Sequence, residues 1–194
     1  MARSFPLSRF LVACSLLLVL CAACAPASES ALPLEIYQQP DRRFQLSIPK
    51  DWQAESSENG ALLTLTPPDY SGSETELRVL IFLSPTNTID TSEHVEEANQ
   101  LFQPFLENYL DESYEVINQG ETKVEKVPAL LIDFAKPYQS TYLTGRLVMV
   151  AMPGYALAFL GSAERSAWDS FLPTFRAMLA DFQLLTAADS MSQP

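Results

Sequence analysis

The sequence predicts an α+β domain in which a single antiparallel β-sheet is covered by helices. Several short segments, such as 44–48, alternate apolar and polar residues, and turn dipeptides such as Asn59-Gly60 separate them. Two longer segments, 91–109 and 166–182, instead repeat apolar residues at helical spacing. Runs of strands joined by hairpin turns favour an antiparallel sheet over a parallel one.

The segment 44–52 marks the start of the folded part. Phe44, Leu46 and Ile48 alternate with polar residues, so they share one face of a half-buried strand. Pro49 should end this strand because it has no N–H to donate. Trp52 is then expected to fold back over the edge of the strand.

The remaining strands are predicted from alternation and from turn residues. The segment 76–83 is almost continuously apolar, which is typical of a central strand covered on both faces. Two hairpins are predicted in the first half of the chain: 34–37 pairs with 44–48 through a proline-led turn, and 52–55 pairs with 63–66 through a type I′ turn at Asn59-Gly60. Two more are predicted in the second half: 114–118 pairs with 121–126 through Gln119-Gly120, and 143–151 pairs with 155–161 through Met152-Pro153-Gly154. The segment 129–134 forms a further strand.

Two amphipathic segments predict helices. The first follows a capping residue, Thr91 or Ser92, and should be kinked by Pro104. The second begins at Ser166 and contains Pro173, so either the helix bends there or its regular part begins near residue 170; we favour the bend. Its predicted core face consists of Trp168, Phe171, Leu172, Phe175, Leu179 and Phe182.

Residues 1–23 have the pattern of a secretory signal peptide. A basic start with Arg3 and Arg9 leads into the apolar run 10–20, which is short for a membrane-spanning helix of about 20 residues. The order Ala22-Ala23-Cys24 resembles a bacterial lipobox, in which the cysteine is acylated and becomes the new N-terminus. We therefore predict that Cys24 carries a lipid.

Two alternatives to this processing remain. Cleavage before Cys21 would leave Leu20 where a small residue is preferred, and an ordinary cleaved signal would make Cys24 incidental. With cleavage before Cys24, residues 24–33 form a lipidated tether rich in small residues and proline, 34–186 the domain, and 187–194 a flexible tail. All three cysteines lie within the first 24 residues, so the domain can form no internal disulfide.

The composition is that of an ordinary globular protein, with 47% apolar and 19% charged residues in a chain of 194. This length allows one domain with a sizeable core. Outside the leader, 10 basic residues accompany 24 acidic ones, which changes the net charge from −12 for the whole chain to −14. Such an acidic surface repels nucleic acid and anionic lipid headgroups, so we expect no nucleic-acid partner.

The motif F-x-L-x-I-P-x-x-W, from Phe44 to Trp52, resembles the opening of the PsbP-like family. DcrB-type envelope lipoproteins and a Ran-binding nuclear transport factor share that family's fold. The resemblance covers 34–185, including the final helical pattern and the order of elements. It implies a PsbP-like α/β/α sandwich and an accessory, scaffold or ligand-binding role, like that of the extrinsic protein of photosystem II. None of the motifs that carry it is catalytic.

The sequence contains few groups suited to catalysis. It has no G-x-S-x-G, H-E-x-x-H, phosphate-binding or dinucleotide motif. His94-Val-Glu96 is similar to the histidine and glutamate of zinc deaminases, but the downstream cysteine pair is missing. A divalent-cation site at Glu93, His94 and Glu97 is an alternative, although acidic residues at a helix N-terminus also stabilise the helix dipole. We therefore predict no metal, no cofactor and no enzymatic activity.

Tyr138, Tyr142 and Arg146 form the predicted partner-binding site. The two tyrosines flank a short polar loop that leads to the arginine, and both residue types are favoured at interface centres. Tyrosines at strand ends also often cover the edge of a core, which is the alternative interpretation.

Taken with the lipobox, this site predicts a non-catalytic binding or accessory module of the cell envelope. Its lipid anchor would hold it at the outer face of the cytoplasmic membrane, or in the periplasm of a host with an outer membrane, where it binds an envelope protein or a small ligand. The alternative is an envelope-anchored hydrolase that uses carboxylates alone.

Overall fold

The computed structural model describes residues 31–39, 44–73, 76–85, 113–152 and 155–185. Within these ranges the chain forms ten β-strands and one α-helix. The elements are β1 (Leu34–Gln38), β2 (Phe44–Pro49), β3 (Gln53–Ser56), β4 (Leu62–Thr66), β5 (Arg78–Pro85), β6 (Glu115–Val124), β7 (Val127–Tyr138), β8 (Thr141–Met152), β9 (Tyr155–Glu164), α1 (Arg165–Ala180) and β10 (Gln183–Leu184).

The strands form two antiparallel sheets, which corrects the prediction of a single sheet. The smaller sheet has the order β1-β2-β10, and the larger has the order β3-β4-β5-β9-β8-β7-β6. The chain leaves the first sheet at Pro49, where the Trp52 N–H donates to the Pro49 carbonyl at 3.2 Å and Asp51 adopts a positive φ of 68°. This turn redirects the chain, so β3 starts a new sheet instead of extending the first one.

Both faces of the larger sheet carry apolar clusters. In β8, Val148 and Val150 belong to the cluster on one face, and Leu147 and Met149 to the cluster on the other. This is the alternation that a strand imposes on successive side chains. β5 lies between β4 and β9 and has apolar residues on both faces, as predicted for a central strand.

The helix α1 and the smaller sheet pack on the first of these faces. Phe44, Leu46 and Ile48 are buried in the same cluster as Trp168 and Phe175 of α1, which confirms the predicted strand face. Trp52 stacks on Phe171 with ring centroids 5.1 Å apart. Pro173 lies inside the helix, whose buried residues are Trp168, Phe171, Thr174, Phe175, Met178 and Leu179.

The hairpin predicted at Asn59-Gly60 is confirmed, but its turn is not of type I′. A type I′ turn needs a positive φ at both residues, and only Gly60 has one, at 66°. The Asn59 side chain explains the difference, because its Oδ1 accepts hydrogen bonds from the Ala61 N–H at 3.0 Å and from the Ser57 hydroxyl at 2.9 Å. The loop is therefore longer than two residues, and Ser56 pairs with Leu63 across it.

The turn predicted at Gln119-Gly120 is wrong. Gly120 lies within β6 and pairs with Leu131, so 114–118 and 121–126 do not form a hairpin of their own. The chain turns at Glu125 and Lys126, which adopt positive φ values of 48° and 71° between the paired Val124 and Val127. Pairing along the whole of β7 thus overrides the local preference of glycine for a turn.

The other predicted hairpins are confirmed, namely β1 with β2 and β8 with β9. The helix predicted at 91–109, the leader 1–23 and the turn residues Pro153 and Gly154 lie outside the described residues. In the part of the chain that the structure describes, no helix has both the length and the apolar character needed to cross a membrane.

Candidate functional site

A cleft of about 320 Å³ opens between the first half of α1 and the strands β6, β7 and β8. This volume lies at the lower end of the range for small-molecule sites, about 300–1,000 Å³. We call it the helix cleft. Its lining residues are Ile117, Asp133, Phe134, Thr144, Gly145, Arg146, Arg165, Trp168, Asp169 and Leu172.

The floor of the helix cleft contains a two-pronged ion pair. Asp133 of β7 and Arg146 of β8 are directly paired in the strand register, so their side chains share one face of the sheet. The Arg146 Nε donates to Asp133 Oδ1 at 2.6 Å, and its Nη2 donates to Oδ2 at 3.0 Å. The two side chains are only 11% and 22% exposed, which shields the pair from water.

A third residue, Asn118, also binds the Asp133 carboxylate. The Asn118 amide of β6 donates to Asp133 Oδ2 at 3.3 Å. A β-bulge between Val116 and Asn118 leaves the intervening Ile117 without a partner in β7. Ile117 is 58% exposed and lies at the mouth of the cleft.

Thr144 contributes an unsatisfied polar atom. The residue is 5% exposed, and its Oγ1 has no hydrogen-bond partner among the described residues. A buried hydroxyl without a partner loses its hydration with no compensating bond, which is unfavourable. Such an atom in the lining of a cleft is a candidate contact for a bound molecule.

Two opposite charges stand on the helical side of the cleft. Arg165 and Asp169 lie four residues apart on α1, so they occupy neighbouring positions on one helix face. Both are exposed, and within the described ranges no ion pair joins them. Pro173 has no N–H, so the Asp169 carbonyl also lacks the donor that normally stands four residues further along a helix.

The structure places Tyr138 on a different face of the sheet from the other two residues of the predicted partner-binding site. Tyr142 pairs with Pro137 and is 52% exposed, whereas Tyr138 pairs with Thr141. Because paired residues share a face and successive residues alternate, Tyr138 lies on the opposite face from Tyr142 and Arg146. Arg146 is buried and held by Asp133.

The other predicted site residues, Cys24 and the possible metal ligands Glu93, His94 and Glu97, lie outside the described residues. Among the residues that the structure does describe, no group of histidine, cysteine and carboxylate side chains could hold a metal ion.

A second cleft lies at the opposite end of α1, with a volume of about 480 Å³ and with Glu125, Leu179 and Phe182 in its lining. Burial raises the pKa of the Glu125 carboxyl, although the Leu184 N–H donates to its Oε1 at 2.7 Å and opposes that effect. Glu125 is thereby used to attach β10 to the β6–β7 turn.

Sequence reasoning missed Asp133, Thr144, Arg165 and Asp169. A signal for the first was present, since Asp133 interrupts the apolar run 129–134 and Arg146 interrupts 143–151 with the opposite charge. Arg165 and Asp169 are opposite charges four residues apart on a helix, which is common on protein surfaces. Only the packing of α1 against β8 makes them part of a site.

The chain has a PsbP-like fold, as its opening motif predicted. This is the class of protein that the strand order, the helix and the comparisons with solved structures define. No protein-family model matches the sequence, and a search of curated proteins gives no match either.

The individual structures resemble the chain at low sequence identity. Cyanobacterial PsbP (CyanoP) from Synechocystis matches with a TM-score of 0.58 and 12% identity over 84% of this chain and 97% of its own. LpqN of Mycobacterium tuberculosis, which is involved in cell envelope biogenesis, matches with a TM-score of 0.58 and 12% identity, over 81% of this chain and 94% of its own. A protein from Bacteroides thetaiotaomicron matches with a TM-score of 0.54 and 14% identity, over 79% of this chain and 49% of its own. These likenesses establish the fold alone.

Proposed function

We propose that this protein is an exported, lipid-anchored and non-catalytic accessory module that binds another protein of the cell envelope. Two solved structures with the same fold support this role, since one is a PsbP and the other takes part in envelope biogenesis. The acidic charge of the chain supports a protein partner over nucleic acid.

The proposed anchor would hold the domain close to the membrane. The Leu32 N–H donates to the buried Thr174 hydroxyl of α1 at 2.9 Å, which fixes the start of the domain against the helix. Eight residues lead from Cys24 to Leu32, and a fully extended chain of that length spans at most about 28 Å. A lipid at Cys24 would therefore raise the local concentration of the domain near membrane-bound partners.

The observation that carries the binding role is the arrangement of charge around the helix cleft. Arg146 and Asn118 direct hydrogen bonds at both oxygens of Asp133, which fixes this carboxylate as a preorganised element. An apolar and an aromatic side chain, Ile117 of β6 and Tyr142 of β8, are also exposed on these strands. Fixed charge beside exposed apolar surface is typical of a binding surface.

Site-directed photo-crosslinking in intact cells tests this proposal. A crosslinker at Tyr142 or Ile117 should capture the same envelope protein reproducibly, because both positions belong to the proposed surface. The control is a crosslinker at Ile36, which is more exposed than either position but lies on β1 of the smaller sheet.

Two results together would favour a carboxylate-only hydrolase instead. The first is the absence of a specific partner at Tyr142 and Ile117. The second is substrate turnover by the purified protein that is lost in Asp133→Asn or Asp169→Asn.

A further inference from the structure

The helix cleft contains more polar groups than its internal contacts use. The pairing with Asp133 occupies the Nε and Nη2 of Arg146, and no other hydrogen bond of Arg146 is present in the described part of the chain. The Nη1 group thus remains as a donor beside the unpartnered hydroxyl of Thr144. Two donors on the floor of a cleft fit the oxygens of a carboxylate.

The wall formed by α1 offers the complementary groups. Arg165 adds a second guanidinium, and Asp169 adds a carboxylate. A carboxylate suits an ammonium group, which carries three donors and no acceptor.

The balance of charge narrows the class of ligand. Arg146 and Arg165 are matched by Asp133 and Asp169, so the lining residues have no net charge although the chain as a whole is strongly acidic. Such a cleft gives no general attraction to a simple anion or cation. It is matched by a molecule that carries one charge of each sign.

Apolar surface completes the lining. Ile117 at the mouth and Leu172 on α1 can contact an aliphatic group, and Trp168 closes the inner end against Gly161. A ligand with a short aliphatic side chain would bury it here and gain affinity from the area removed from water.

We propose that the helix cleft binds a small zwitterion of the amino-acid class, with its carboxylate toward Arg146, Thr144 and Arg165 and its ammonium toward Asp169. This site rests on the non-catalytic binding role proposed above, but it requires neither the lipid anchor nor the envelope protein. Failure of the cellular crosslinking would therefore not contradict the zwitterion site. Failure of the cleft to bind a zwitterion would likewise not contradict the binding of an envelope protein.

Calorimetric titration of the purified full-length protein tests the site with three probes. L-leucine carries both charges, N-acetyl-L-leucine lacks the ammonium and L-leucinamide lacks the carboxylate. We expect L-leucine to bind at least about ten-fold more tightly than either derivative, because each derivative leaves one charged partner of the cleft unsatisfied. No detectable binding of L-leucine at millimolar concentration, or equal binding of all three probes, would overturn the proposal.

Variants then place the binding in the cleft. Arg165→Gln and Asp169→Asn should each weaken L-leucine binding by about ten-fold, since each removes a charge-assisted contact. Arg176→Gln is the matched control, because Arg176 is an exposed arginine on the same helix but outside the lining. Thr144→Val replaces the hydroxyl by a methyl group of similar size, so it should also weaken L-leucine binding while it leaves the shape of the cleft almost unchanged. Equal affinity in the Arg165, Asp169 and Arg176 variants would show that the cleft is not the site.

Discussion

At the scale of single residues, the pair of Asp133 and Arg146 is the most consequential contact of the cleft. Asp133→Asn would leave the guanidinium buried without a counter-charge. We expect a loss of about 1–3 kcal/mol in the free energy of unfolding, less than for a fully buried pair because Asp133 is 22% exposed. Urea denaturation measures the loss.

Two further variants separate charge from packing at this pair. Asn118→Ala removes only the 3.3 Å hydrogen bond and should cost less than Asp133→Asn. The double change of Asp133→Leu with Arg146→Met removes both charges and should also cost less than Asp133→Asn. Equal stability of Asp133→Asn and the unchanged protein would show that the pair does not contribute to folding.

Glu76 shows how one residue links loop structure to pH. Hydrogen bonds from the Ser71 hydroxyl and, at 2.6 Å, from the Ser71 N–H lower the pKa of the Glu76 carboxyl below its ordinary value of 4.5. A lowered pKa stabilises the folded state at pH values above the unfolded pKa. The stabilisation is lost as the pH falls through the folded pKa.

Ser71→Ala tests this link because it removes the larger of the two causes. The pKa of Glu76, followed by NMR titration of its side-chain carbonyl, should move up toward 4.5. In urea denaturation, the Ser71→Ala variant should lose less stability than the unchanged protein when the pH is lowered below 4.5, the ordinary pKa of glutamate. An unaltered Glu76 titration would contradict the assignment of the Ser71 hydroxyl as the main cause.

At the scale of elements, α1 depends on a close approach to β9. A Cβ added at Gly161 would lie 2.7 Å from the Trp168 ring and 2.9 Å from the Phe175 ring. Gly161→Ala must therefore displace α1 or distort the aromatic side chains. We expect a loss of about 1–3 kcal/mol in the free energy of unfolding, as for other overpacked cores.

Gly120→Ala is the matched control for Gly161→Ala. Gly120 also lies within a strand, but a Cβ there would meet nothing within 4 Å. Alanine should be neutral or slightly stabilising, because glycine loses more backbone entropy on folding. Thermal melts of the two variants measure the difference, and equal melting temperatures would contradict the packing argument.

At the scale of the whole molecule, the cysteines of the leader offer a direct test of the anchor. If Cys24 carries the lipid, as we propose, Cys24→Ser should abolish lipidation and either release the protein from the membrane fraction or leave its leader uncut, since serine has no thiol to acylate. Mass spectrometry of the mature N-terminus and fractionation of cells measure both effects. Cys21→Ser is the matched control and should be processed and anchored normally; normal anchoring of Cys24→Ser would reject the assignment.

The sequence by itself determined the local structure over most of the described chain. Alternation in 44–48, the turn residues Asn59-Gly60 and the helical spacing from Trp168 to Leu179 predicted elements that the structure contains. Phe182 was predicted on the same helical face but lies beyond the end of α1, although it is buried in the same cluster. The opening motif from Phe44 to Trp52 also predicted the PsbP-like fold. These signals are readable because each depends on residues close together in the chain, where backbone geometry and side-chain periodicity are local properties.

Only the tertiary structure decided how the elements are assembled and where the cleft lies. Alternation assigns residues to a face but does not name the neighbouring strand, so the separate sheet of β1, β2 and β10 could not be predicted. The turn at Glu125 and Lys126 follows from the pairing of β6 with β7 over their whole length, which outweighed the local signal at Gly120. The cleft likewise joins Asp133 and Arg146 to Arg165 and Asp169, residues that come together only when α1 packs on the sheet.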